Sequence, residues 1–100
     1  IVIYSGSMRP TFDAGDIVIV AKKDPALLKE GDIISYRIED SPVPIIHRIK
    51  KINRDKTIIT KGDNNNHIDQ PIVPEQVNGV VLFIAPKVGW ISIAVRNMFI

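Results

Sequence analysis

The 100-residue sequence has no cysteine. That absence excludes a thiol nucleophile and a zinc-thiolate centre, and it leaves packing to hold the fold. Charge of one sign is also scarce, with 13 basic against 11 acidic residues and a net charge of +2. Lys22-Lys23, Lys50-Lys51 and Arg54 are interleaved with acids, so no basic face exists to hold a phosphate backbone, and nucleic acid is excluded as a partner. A long apolar run is lacking too. The most apolar stretch, residues 79–95, is broken by Pro86, Lys87 and Gly89 and falls short of the ~20 clean residues a spanning helix needs. Without a metal-ligand cluster or a glycine-rich phosphate loop, the sequence implies no metal and no cofactor.

What is present is a foldable chain. Forty-five per cent of residues are hydrophobic and 24% are charged, which suits one globular domain over residues 1–100. Short β-branched runs separated by Gly, Pro, Asp and Asn predict a mostly β domain, a compact antiparallel sheet or barrel-like arrangement with minor helices. Strands are expected at residues 1–4, 17–21, 32–38, 44–52, 57–61 and 79–84. Asp24-Pro25 ahead of residues 26–30 suits a single helical turn. Gly15-Asp16 and Gly31-Asp32 read as turns that launch strands, since Gly supplies unusual dihedrals and Asp a local acceptor. Residues 63–74, rich in Asn and Asp, predict a long exposed loop. Residues 88–100 carry Val88, Ile91, Ala94, Val95 and Met98 at helical spacing. With Trp90, Lys87 and Arg96 beside them, such a helix suits a membrane surface, and packing against the sheet explains it equally well.

Three segments carry chemistry: Ser5-Gly6-Ser7-Met8-Arg9-Pro10, Ile45-Ile46-His47-Arg48-Ile49 and Lys61-Gly62-Asp63-Asn64-Asn65. A hydroxyl, an imidazole and a carboxylate are the raw material of a serine nucleophile with its base and orienter. Ser7 is the candidate nucleophile, because Gly6 permits a sharp approach and the following turn can present the hydroxyl. On an alternating strand His47 shares a face with Ile45, Ile49 and Lys51, while Ile46, Arg48, Lys50 and Ile52 point the other way. An imidazole of ordinary pKa, about 6.5, serves as a neutral base near physiological pH, whereas a lysine at about 10.4 needs deep desolvation. Lys50, Lys51 and Lys61 are the nearby lysines, and each would need that desolvation to rival His47 as the base. Asp63 and Asp69 both lie in the loop after residues 57–61, and either can supply the acid. His67 has no assigned role.

With Gly-Asp-x-Val at residues 15–18, these motifs resemble, in order and spacing, the type I signal peptidases. Those are membrane-bound serine proteases that remove secretory signal peptides. His-Arg in place of Lys-Arg looks like the branch found in the endoplasmic reticulum, in archaea and in a few Gram-positive bacteria. The resemblance runs from about residue 2 to residue 86.

The resemblance implies a serine endopeptidase that cleaves secretory preproteins after small residues. In it Ser7 is the nucleophile, His47 the base and Asp69 the third catalytic residue, with Asp63 a nearby supporting acid. The Ser7 backbone N–H and the Ser5 hydroxyl are its oxyanion donors, and Ile3, Met8 and Phe12 match positions lining the substrate pocket. It further implies a transmembrane anchor ahead of Ile1, a catalytic domain at the membrane surface on the extracytoplasmic or lumenal face, and partner subunits in a processing complex. Two rivals are a self-cleaving repressor-type Ser-Lys peptidase and a catalytically silent relative that binds peptides through the same groove.

Overall fold

The computed structural model describes residues 6–39 and 41–85. Five strands appear where β-branched runs meet Gly, Asp or Pro: β1 (Ile17–Ala21), β2 (Ile33–Tyr36), β3 (Ile45–Ile52), β4 (Ile58–Lys61) and β5 (Val77–Ala85). All neighbours are antiparallel, in the order β1-β5-β2-β3-β4. The expected mostly β class is therefore observed, and helix is confined, among the described residues, to single 3-10 turns at Pro25–Leu27 and Pro74–Gln76. The first is shorter than the turn expected over residues 26–30, and the Asp24 carboxylate caps it by accepting from Ala26 N at 2.9 Å. No helix among the described residues is long and apolar enough to cross a membrane. The strand expected at residues 1–4 and the helix expected at 88–100 lie outside the described residues.

Both Gly-Asp pairs behave as strand launchers. Gly15 and Gly31 hold φ at +91° and +95°, which side chains disfavour. Asp16 and Asp32 fold their carboxylates back onto the backbone N–H groups of Asp13 and Lys29.

Alternation buries two apolar clusters. Ile34 and Tyr36 of β2, Ile49 of β3 and Ile58 of β4 pack with Leu28 and Ile72, while Val18 of β1 and Ile46 of β3 pack with Met8 and Phe12. On β3, Ile52 departs from simple alternation. The register between β3 and β4 slips between Ile49 and Lys51, so Ile52 joins Ile45 and Ile49 in the first cluster rather than following Ile46. A bulge of this kind inserts one extra residue and resets the faces beyond it. It leaves both Lys50 and Lys51 exposed at the strand end.

The loop after β4 does not simply leave the sheet. Ile72 returns to pair with Ile58, its N–H donating at 3.0 Å and its carbonyl accepting at 2.8 Å. Nearer the other end of β4, the Asp69 N–H donates to the Thr60 carbonyl at 2.8 Å. Residue 69 is thereby held beside residue 60 by backbone pairing.

Candidate active site

His47 enters the site from the middle of β3, its ring facing the side where Tyr36 and Thr60 are buried. Its Nδ1 lies 2.6 Å from Asp69 Oδ2, and its Nε2 lies 3.1 Å from Ser7 Oγ. Both distances are within hydrogen-bond reach. A carboxylate can only accept, so Nδ1 carries the proton toward Asp69 and Nε2 turns its lone pair toward the Ser7 hydroxyl. The ring is largely shielded from water, with 11% of its side chain exposed.

Asp69 Oδ2 is crowded with donors. Besides His47 it accepts from Thr60 Oγ1 at 2.8 Å and faces the Tyr36 hydroxyl at 3.3 Å. Tyr36 and Thr60 hydroxyls are themselves 3.0 Å apart. Burial pushes the Tyr36 phenol up to about 12; the Thr60 bond opposes that rise and the Asp69 charge adds to it. The phenol stays protonated, and therefore a donor, throughout the neutral range.

Asp63 occupies a different place. Arg48, one residue beyond His47 and on the opposite face of β3, grips it with both arms of its guanidinium, Nε to Oδ1 and Nη2 to Oδ2, each at 2.9 Å. Thr11 Oγ1 adds a bond of 2.5 Å to Oδ2. The Arg48 bonds are the main cause holding the Asp63 carboxyl below the usual carboxylate range; burial opposes them, and Thr11 and the more distant Lys50 charge assist. Arg48 Nη1 also reaches the Gly31 carbonyl at 2.9 Å, so one guanidinium ties β3 to the turn before β2 and to the loop after β4.

That loop holds the Ser7 segment directly. Asn64 N–H donates to the Ser7 carbonyl at 2.7 Å, and Asp63 N–H to Met8 Sδ at 3.3 Å. Gly62 makes the approach feasible, since a Cβ there would stand 2.6 Å from the Ser7 carbonyl oxygen. The N-terminal segment thus rounds the end of β4 with Met8 and Phe12 buried in the second cluster and the Ser7 hydroxyl reaching His47.

Ser7, His47 and Asp69 are brought into one chain of contacts, and Asp63 stands apart from it on Arg48. Met8 and Phe12 are buried among Val18 and Ile46. Ser5 and Ile3 lie outside the described residues. Of the rival bases, Lys50 and Lys51 are exposed, and Lys61 Nζ donates to the Gly62 carbonyl at 3.2 Å. Sequence reasoning missed Tyr36, Thr60 and Thr11. Their partners are 33, 9 and 52 residues away along the chain, and the only local signal was a tyrosine on a buried strand, whose hydroxyl must find a partner.

The profile of the Peptidase S24-like family matches residues 1–82. The chain belongs to the Peptidase S24-like family. This member is 34% identical over 117 residues to the signal peptidase complex catalytic subunit SEC11 of Komagataella phaffii, covering 97% of this chain and 66% of that protein. It is 30% identical over 122 residues to the corresponding subunit of Schizosaccharomyces pombe, covering 93% and 65%. The SEC11C subunit of Canis lupus familiaris is 32% identical over 111 residues, covering 97% and 57%. The chain therefore spans about two thirds, or less, of the length of these relatives. The resemblance carried by the four motifs agrees with these matches. No solved structure matches this S24-like chain significantly.

Proposed function

We propose that this chain is the catalytic part of a serine endopeptidase that removes signal peptides from secretory preproteins. The observation that carries the reading is the continuous line from Ser7 Oγ through the two nitrogens of His47 to Asp69 Oδ2. Likeness to subunits named for a signal peptidase complex supports the substrate class.

In this reading Ser7 Oγ attacks the scissile carbonyl as its proton passes to His47 Nε2. Asp69 keeps the imidazole in the tautomer that can accept that proton and stabilises the imidazolium that results. The developing oxyanion is met by the Ser7 backbone N–H and the Ser5 hydroxyl. His47 then hands its proton to the leaving amine, and water, activated by the same base, releases the acyl group and restores Ser7. The family resemblance assigns Ile3, Met8 and Phe12 to the pocket that admits only small residues before the cut. Asp63, gripped by Arg48, supports the segment that carries the nucleophile. The domain works at the membrane surface on the extracytoplasmic or lumenal face, anchored there and accompanied by partner subunits.

Ser7→Ala and His47→Ala should each lower cleavage of a signal-peptide substrate by several orders of magnitude, as when one member of a cooperating set is lost, with the melting temperature retained. Cleavage by His47→Ala near the wild-type rate would refute the assignment. Lys61→Ala should be much milder, because that ammonium is engaged with the Gly62 carbonyl.

A further inference from the structure

The three proposed catalytic side chains leave one feature unused: two buried hydroxyls behind the acid. Tyr36 is 2% exposed and Thr60 is fully buried. They have two protons to distribute among a pair of hydroxyl oxygens and Asp69 Oδ2. Hydroxyl hydrogen bonds fall at roughly 2.5–3.0 Å. The 3.0 Å step from Tyr36 to Thr60 and the 2.8 Å step from Thr60 to Asp69 meet that range, whereas the direct 3.3 Å path from Tyr36 to Asp69 exceeds it. The distances therefore favour a relay, with the phenol donating to the threonine oxygen and the threonine donating to the carboxylate. Such chains strengthen each member, because a hydroxyl that accepts a bond becomes a better donor. Tyr36 also meets the His47 ring edge-on, with centroids 6.5 Å apart and planes at 71°.

Resting on the assignment of Ser7, His47 and Asp69 above, we propose that Tyr36 and Thr60 are positioning residues for Asp69. Their buried hydroxyl relay fixes Oδ2 opposite His47 Nδ1, and turnover depends on it although neither residue touches substrate. The relay also explains why Asp69, rather than Asp63, is placed to act on the imidazole. Asp63 spends its oxygens on Arg48 and Thr11. Asp69 receives the neutral Thr60 hydroxyl, backed by Tyr36, which orients it while leaving its charge to the histidine. The backbone bond from Asp69 N–H to the Thr60 carbonyl locks the same two residues a second time, so the side-chain contact is held in register by the sheet itself.

The test uses the full-length protein, a fluorogenic peptide carrying a signal-peptide cleavage site, and the 1H resonance of the His47 Nδ1–H proton. Thr60→Val keeps shape and removes the relay's middle. It should lower kcat about 10- to 100-fold, the size expected for a lost hydrogen bond to a charged group, with KM changed less than about twofold and the Nδ1–H resonance shifted. Thr60→Ser should restore kcat to within about threefold of wild type. Tyr36→Phe should lower kcat less than Thr60→Val, and the double variant should fall no further than Thr60→Val alone, since members of one relay are not additive. The proposal is overturned if Thr60→Val retains kcat within about threefold, if its loss leaves the Nδ1–H resonance unmoved, if serine fails to rescue, or if the double variant shows the product of the two single losses. Full turnover in Ser7→Ala or His47→Ala would instead strike the underlying assignment, whatever the relay variants do.

Discussion

Gly62→Ala should disable the nucleophile while leaving the sheet in place. A methyl group at this position would stand 2.6 Å from the Ser7 carbonyl oxygen and 2.7 Å from Asn65 Nδ2, where ordinary contact begins near 3.4 Å. The Asn65 amide ends a flexible side chain and can turn aside. The Ser7 carbonyl is backbone, pinned by the Asn64 N–H at 2.7 Å. Strand β4 is fixed by its pairing with β3 and by the Asp69 and Ile72 bonds, so the Ser7 segment, which lies outside the sheet, must give way by about 0.8 Å. Carried through to Oγ, that displacement would stretch the 3.1 Å contact with His47 to about 3.9 Å, beyond hydrogen-bond range. A misplacement near 1 Å costs roughly 100-fold in rate, and overpacking costs about 1–3 kcal/mol in stability. The assay is the rate of Ser7 acylation by a fluorophosphonate probe on the full-length protein, measured beside its thermal melt. Gly31→Ala is the control. That glycine has φ +95° with open space around it, so alanine there should cost about 1–2 kcal/mol of backbone strain and leave acylation unchanged. Acylation of Gly62→Ala within about threefold of wild type would refute the argument that Ser7 is held by this close approach.

Two further predictions separate the acids. Asp69→Asn should lower turnover by about 10³- to 10⁴-fold with little change in melting, because an amide cannot fix the imidazole tautomer or stabilise the imidazolium; turnover within tenfold of wild type would remove Asp69 from the mechanism. Asp63→Asn should lower stability by roughly 1–3 kcal/mol through loss of the doubly bonded Arg48 pair, and turnover should fall less than in Asp69→Asn. Asp63 also carries a pH signature: its carboxyl is held below the ordinary value by Arg48, so its stabilisation is complete above about pH 4 and is lost as pH falls through the depressed folded value. The acid-side loss of melting temperature should therefore be shallower in Asp63→Asn than in wild type, and an identical slope would show that the Arg48 pair does not stabilise the fold.

How legible the chain was depended on the range of the interaction. Strands β1, β3 and β4 were readable to within a residue, because their boundaries are set by local causes such as Gly15-Asp16 launching β1. Strand β2 is shorter than expected, ending at Tyr36, and β5 starts at Val77 rather than Gly79. Where two strands must match each other, local pattern does not decide the end. Ile52 shows the same limit more sharply: strict alternation put it with Ile46, but the slip opposite Ile59 turns it to the other cluster. A bulge is a property of a pair of strands, so one strand's pattern cannot reveal it.

The site divides along the same line. Ser7, His47 and Asp63 were visible because each sits in a short run that gains meaning from the other two, whereas Asp69 lies beyond those runs and was singled out only by the family resemblance. Deciding between Asp63 and Asp69 by geometry required knowing which one the loop returns to β4, and that is settled by a backbone bond from residue 69 to residue 60. The residues that tell the two acids apart, Arg48 for Asp63 and Thr60 for Asp69, are each paired across β3 and β4 in adjacent positions, Arg48 opposite Lys61 and Ile49 opposite Thr60. One residue of register therefore determines both partnerships, since successive side chains face opposite sides of the sheet. Arg48 takes its acid on one face and His47 on the other. A shift of this ladder by one position would exchange the faces and dismantle the line from Ser7 to Asp69 without altering a single residue of the motifs that announce it.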